Sequence, residues 1–214
     1  MAGEPKSLDM DEPLAQRIER HRFDRMIMLS DGVFSIAITL LALELRPPER
    51  WSGSWTELVD GRWRAMVGFI VGFVIVGAFW LAHRELFARL RRIDMPGTFL
   101  SLLILLLVSL APAVAALLAA FGPGKAMPAY VALVAAISLA QALLWGWAAF
   151  GAALADASIG RTGRAMLLVR FLLPGLLAAI LVATWRDGVR PEVALVLVLL
   201  LPGVILLRRL AERY

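Results

Sequence analysis

The chain contains no cysteine among its 214 residues, so neither a disulfide framework nor thiol chemistry can operate in it. Histidine is nearly as scarce. His21 and His83 are the two present, too few to supply metal chemistry, and no metal site or cofactor is expected. The apolar stretches hold no nucleophile–base pair and little sequence remains for a soluble domain. No catalytic residues are therefore expected, and an enzyme is the least favoured class. Residues 1–22 are charged and lack an apolar core, which argues against a secretory signal peptide.

What the chain has in excess is apolar surface. Hydrophobic residues make up 60% of it and the mean hydropathy is +0.77, where a soluble domain is about half apolar. Six stretches are long enough to cross a hydrocarbon core, at 24–45, 64–86, 96–120, 128–151, 165–184 and 191–210. The expected fold is an all-α integral membrane protein with six transmembrane helices. Residues 23–214 would form one membrane domain in the lipid bilayer, and residues 1–22 a polar cytoplasmic arm with a short helix at Pro13–Arg22.

The net charge of +5 could suggest a nucleic-acid partner, but its distribution argues against one. Fourteen Lys and Arg residues lie in the amino terminus, the 84–94 and 152–164 loops and the carboxyl tail, against seven in the alternate loops. That asymmetry is the positive-inside signal, and it places both termini in the cytoplasm. Trp51, Trp55 and Trp63 then mark the outer headgroup level, and Arg84 to Arg92 form a basic inner hairpin or helix extension. Spans three to six carry little polar chemistry and read as scaffold. Leu-Leu-Pro-Gly occurs twice, at 172–175 and 200–203. Kinked packing is favoured over a paired broken-helix binding site, since the nearby charge, Arg170, is close enough to the inner end to snorkel.

The first span is different. Ser30 and Asp31 stand at its start, and twelve uncharged residues follow before Glu44. An ionisable group there marks function or a buried lock. With Ile36 as zero and ~100° per residue, Leu29, Gly32, Leu40 and Leu43 fall within ~40° and Arg25 within ~20°. Thr39 lies at ~60°, Ser30 at ~120° and Asp31 at ~140°. If the apolar stripe lines a pathway, Asp31 faces other helices. The second span returns antiparallel and brings Trp80, His83 and Arg84 to the same depth as donors. Such a cluster is a static helix-to-helix lock, or else a gating latch or proton relay. No second buried carboxylate is expected. Glu44, at the outer end, would form a cation-concentrating ring in a symmetric oligomer, or simply a solvated rim.

The segment Arg25-x-x-x-Leu29-Ser30-Asp31-Gly32-Val33-Phe34-Ser35-Ile36-Ala37-Ile38-Thr39-Leu40-Leu41 resembles the Arg-x-x-x-Phe-Ser-Asp signature of the transmembrane protein 175 potassium channels. The resemblance continues through Trp80-Leu-Ala-His83-Arg84-Glu-Leu-Phe87 and, weakly, through Leu102–Pro112. Here the signature aromatic is Leu29, and a polar Asn common early in the third span is Ser101. The resemblance implies a homotetramer in the inner (plasma) membrane of a prokaryote, with the first helix of each subunit lining a central pore. By position from Asp31, it implies a constriction at Ile36, Leu40 and Leu43 and a selectivity hydroxyl layer at Thr39. The permeant species would be monovalent cations, with potassium preferred. A proton-coupled secondary transporter using Asp31 and His83 as relay is the alternative, and a purely structural membrane protein a third.

Overall fold

A computed structural model of the chain describes residues 13–45 and 52–183. Trp51, the sixth predicted span at 191–210, the second Leu-Leu-Pro-Gly copy and both chain ends lie outside those residues, as does the side chain of Glu44.

The described residues form α1 (Leu14–Leu40), continued by a 3-10 turn at Leu41–Glu44, then α2 (Trp55–Phe87), α3 (Met95–Ser109) and α4 (Ala111–Phe121). They go on through α5 (Pro123–Gly146), a π-helical turn at Trp147–Gly151, and α6 (Arg161–Ala183). Five segments are long and apolar enough to cross a membrane: Gln16–Leu43, Ala65–Phe87, Met95–Phe121, Gly124–Gly151 and Arg161–Ala183. The described part is all-helical, and the chain is a multi-pass membrane protein.

Local chemistry sets the helix ends. The helix expected at Pro13–Arg22 does not stop there: after Pro13, α1 runs unbroken into the first span. The sequence Arg46-Pro47-Pro48 disfavours helix beyond the 3-10 turn. The third span, expected as one helix, is divided at Leu110. Pro112 has no N–H to give the Val108 carbonyl, and the chain relaxes there into the shorter Leu110 N–H to Leu107 C=O bond of 3.1 Å. The outer loop expected at 121–127 shrinks to one joint. Gly122, at φ 74°, ends α4 in a left-handed turn, and α5 starts at the next residue with Pro123.

α5 is the hub. Within its most apolar stretch 61% of the residues are buried, against 17–33% in the other four spans. The first Leu-Leu-Pro-Gly copy is a packing device. A Cβ on Gly175 would stand 2.9 Å from the Ser138 Cβ and 3.0 Å from the Leu139 Cγ, so only glycine lets α6 lie this close to α5.

The loop that follows α2 and the loop that precedes α6 are clasped together. Leu90 and Ala155 form an isolated antiparallel bridge, with Arg91 N–H donating to the Leu154 carbonyl at 3.0 Å and Asp156 N–H to the Arg89 carbonyl at 2.9 Å. Arg164 donates to the carbonyls of Ile159, Ala149 and Asp156 at 2.9, 3.0 and 3.3 Å, satisfying one acceptor in the π-helical turn and two in the loop that follows. Asp94 caps α3 by accepting from Gly97 N–H at 2.8 Å, and it also takes the Trp147 indole at 3.0 Å.

Candidate functional site

α1 has a fastened side and a bare side. Met26, Ser30, Phe34, Ala37 and Leu41 are buried against the rest of the chain. Leu29, Ile36, Leu40 and Leu43 are 46, 60, 40 and 61% exposed, and Arg25, Asp31, Gly32, Ser35 and Thr39 are exposed with them. On a helical wheel the bare residues cover an arc of about 180°, with Asp31 at one edge and Leu40 at the other.

Two hydrogen bonds fasten the helix to α2. The Trp80 indole donates to Asp31 Oδ1 at 2.8 Å. Ser30 spends its proton on the Met26 carbonyl at 2.8 Å, so His83 Nε2, 3.2 Å away, is the donor to the Ser30 oxygen. The imidazole therefore carries a proton on Nε2, and its buried Nδ1 has no hydrogen-bond partner among the described residues. Phe34 and Phe87 flank the ring at centroid distances of 5.5 and 4.7 Å.

The donors expected opposite Asp31 thus divide. Trp80 reaches the carboxylate and His83 serves Ser30. Arg84 does not pair with Asp31; it is exposed and lies over the Trp80 ring, 5.4 Å from its centroid. Trp80 and Arg84 are four residues apart and share a helix face, so the indole occupies the carboxylate and the guanidinium stacks on the indole. Thr39 donates its proton to the Ile36 carbonyl at 2.9 Å. Its oxygen lone pairs are then left for another donor or a cation.

The expectation of no second buried carboxylate is overturned by Glu85. Its side chain is 5% exposed, and its Oε1 lies 2.8 Å from Arg89 and 2.9 Å from Arg170. Arg170 therefore ties α6 to α2 rather than only snorkelling. Glu85 and Arg89 stand at i and i+4, a spacing that could have revealed half of this pairing in the sequence. Burial pulls the Arg89 pKa down. Also unforeseen is Gln141 on α5, which is 1% exposed and donates to the Phe79 carbonyl of α2 at 3.1 Å. The scaffold helices do carry polar chemistry.

A cavity of about 260 Å³ opens between α1 and the start of α3. Arg22 and Arg92 in its lining are balanced by Glu19 and Asp94, and Arg92 already meets Glu19 at 3.9 Å.

These features define a multi-pass helical membrane protein whose first helix is held along one side by a polar latch and is bare along the other. The family model described as endosomal/lysosomal potassium channel TMEM175 matches residues 25–112, the stretch from the start of the signature through α3 to Pro112. A protein named a potassium channel, from Streptomyces collinus, is 34% identical over 128 residues, covering 56% of this chain and 62% of the relative. Another so named, from Chamaesiphon minutus, is 31% identical over 138 residues, covering 61% and 68%. The mouse endosomal/lysosomal proton channel TMEM175 is 29% identical over 114 residues, 49% of this chain and 21% of the longer mouse protein. The crystal structure of a lysosomal potassium-selective channel TMEM175 homolog from Chamaesiphon minutus shares the fold, with a TM-score of 0.73 at 24% identity over 88% of this chain and 98% of that one. The chain belongs to the TMEM175 family.

Proposed function

We propose that the protein is a potassium-preferring cation leak channel of a cell's inner (plasma) membrane, built as a homotetramer of six-helix subunits with cytoplasmic termini. In this reading residues 23–214 form the channel domain, and the bare side of α1 lines the pore. Ile36, Leu40 and Leu43 form an apolar constriction that hinders ions by dewetting. Potassium, with its weaker hydration shell, passes a widened ring more readily than sodium, and the Thr39 hydroxyls stand in for lost water. Glu44 gathers cations at the outer mouth. Ser30, Asp31, Trp80 and His83, with Arg84 stacked on the indole, form the latch that sets the rotation of α1, and Arg25 of the signature stands on the bare side.

The observation that carries this reading is the composition of the bare face. A lipid-facing helix needs only apolar side chains, yet Gly32, Ser35 and Thr39 share this face with Ile36, Leu40 and Leu43. The potassium-channel names of the bacterial relatives point the same way. The proton-coupled alternative finds less support, because Asp31 and His83 are bonded to different partners and not to each other.

The test is ion flux into liposomes containing the purified protein, under potassium, sodium and proton gradients in turn. Wild type is expected to carry potassium faster than sodium. The double variant Ile36→Asn, Leu40→Asn is expected to conduct several-fold more, because the ring then stays wet. Equal flux from the two proteins would remove the ring as the barrier. Saturable, strongly pH-dependent transport that Asp31→Asn abolishes would favour the carrier.

A further inference from the structure

We propose that Gln141, on a helix away from the pathway, positions α1 by gripping the one turn of α2 that holds it. This inference rests on α1 being the pore wall. The acceptor of the Gln141 amide is the Phe79 carbonyl, 3.1 Å away. That carbonyl belongs to the peptide joining Phe79 to Trp80. In a continuous helix it also accepts from the N–H four residues on, which is His83. Gln141 therefore binds the peptide unit whose nitrogen belongs to Trp80 and whose carbonyl takes the helix bond from His83, the two residues whose side chains hold Asp31 and Ser30. The order runs from Gln141 on α5, through the Trp80–His83 turn of α2, to the Ser30–Asp31 turn of α1.

Packing alone does not call for glutamine here. The residue is 1% exposed, and its helix neighbours three and four positions away are buried, with Ile137, Leu144 and Trp145 apolar and Ser138 polar. A leucine of similar volume would fill the site without an amide to satisfy. A helix carbonyl already bonded along its helix gains a second donor from a side chain only where that neighbour is in fixed register. α5 can supply the register because it is the most enclosed helix and is seated against α6 at Gly175.

The experiment measures potassium flux in liposomes for wild type, Gln141→Leu, Trp80→Phe and the double variant. Gln141→Leu is expected to change flux in the same direction as Trp80→Phe, by about threefold, the factor an average intramembrane hydrogen bond is worth. The double variant is expected to match Trp80→Phe alone. Independent, multiplying effects would overturn the proposal, and so would unchanged flux in Gln141→Leu.

Gln141→Glu separates the hydrogen bond from the shape. Glutamic acid is isosteric with glutamine but donates to the Phe79 carbonyl only when protonated. Its flux, relative to wild type at each pH, is expected to be normal in acid and to depart towards the Gln141→Leu value as pH rises. A ratio that stays at the Gln141→Leu value even in acid would overturn the proposal, whereas a ratio near one at every pH is what a buried carboxyl that keeps its proton gives. If wild type conducts no ion, the pore reading fails by itself, and the grip is then decided by unfolding in detergent. A cost of Gln141→Leu that shrinks in the Trp80→Phe background sustains it; strict additivity overturns it.

Discussion

A carboxylate at membrane depth needs a donor that stays when water leaves, and Trp80 is that donor for Asp31. The indole requires only an oxygen acceptor at this position, not a charge. Asp31→Asn should therefore keep most of the latch through its carbonyl oxygen, whereas Asp31→Leu should lose about 1 kcal/mol of stability. Thermal unfolding in detergent checks this, and equal losses in both variants would mean that the charge itself matters. The sequence made the latch legible at one level. Antiparallel spans place Trp80, His83 and Arg84 at the depth of Ser30 and Asp31, which is a statement about depth alone. The assignment of each donor to an acceptor was not legible, because it depends on rotation about two helix axes. Rotation decides that the indole takes Asp31 and leaves Arg84 on the ring face.

Between helices the contacts are set by glycines and loops. Gly175→Ala puts a Cβ 2.9 Å from that of Ser138, so α6 must move off α5 at a cost of about 1–3 kcal/mol. Gly77→Ala, in α2, meets nothing within 4 Å and should be neutral or slightly stabilising. Unfolding midpoints of the pair compare a filled contact with an open one in the same protein. In the clasp between the loops after α2 and before α6, Asp156 accepts from the Ser158 N–H at 2.8 Å, and the Ser158 hydrogen bonds hold its carboxyl below the ordinary carboxylate value. A depressed folded pKa gives stability that is present above the unfolded value and lost as pH falls through the folded one. The thermal midpoint of Asp156→Ala should thus converge on that of wild type in strong acid and fall below it near neutrality. Hydrophobic runs announced the five described spans, because span length follows directly from apolar surface. The break at Leu110, the one-residue joint at Gly122 and the Glu85–Arg170 tie were not announced. They follow from backbone donors lost at proline and from partners 85 residues apart in sequence.

For the whole molecule, the arc of about 180° left bare on α1 is too wide for one purpose. A pore wall needs only the sector around Ile36 and Leu40. The remainder, running through Met28, Ser35 and Ala42 towards Asp31, sets one large apolar side chain among small and polar ones, and it suits the close approach of another protein surface better than lipid alone. A second copy of the chain around a central axis would meet both needs, with its own α1 facing the same axis. Because the chain has no cysteine, single introduced thiols report this without background. Leu40→Cys in liposomes should give covalent dimers on mild oxidation, since axis-facing residues of neighbouring copies approach one another. Two controls separate the axis from mere exposure. Ala37→Cys, on the buried side at 2% exposure, should remain monomeric, and so should Val169→Cys, which is 57% exposed on α6. Dimers from Val169→Cys but not from Leu40→Cys would put α1 on the lipid side and α6 at the interface. In that arrangement the apolar face of α1 could not be a pore.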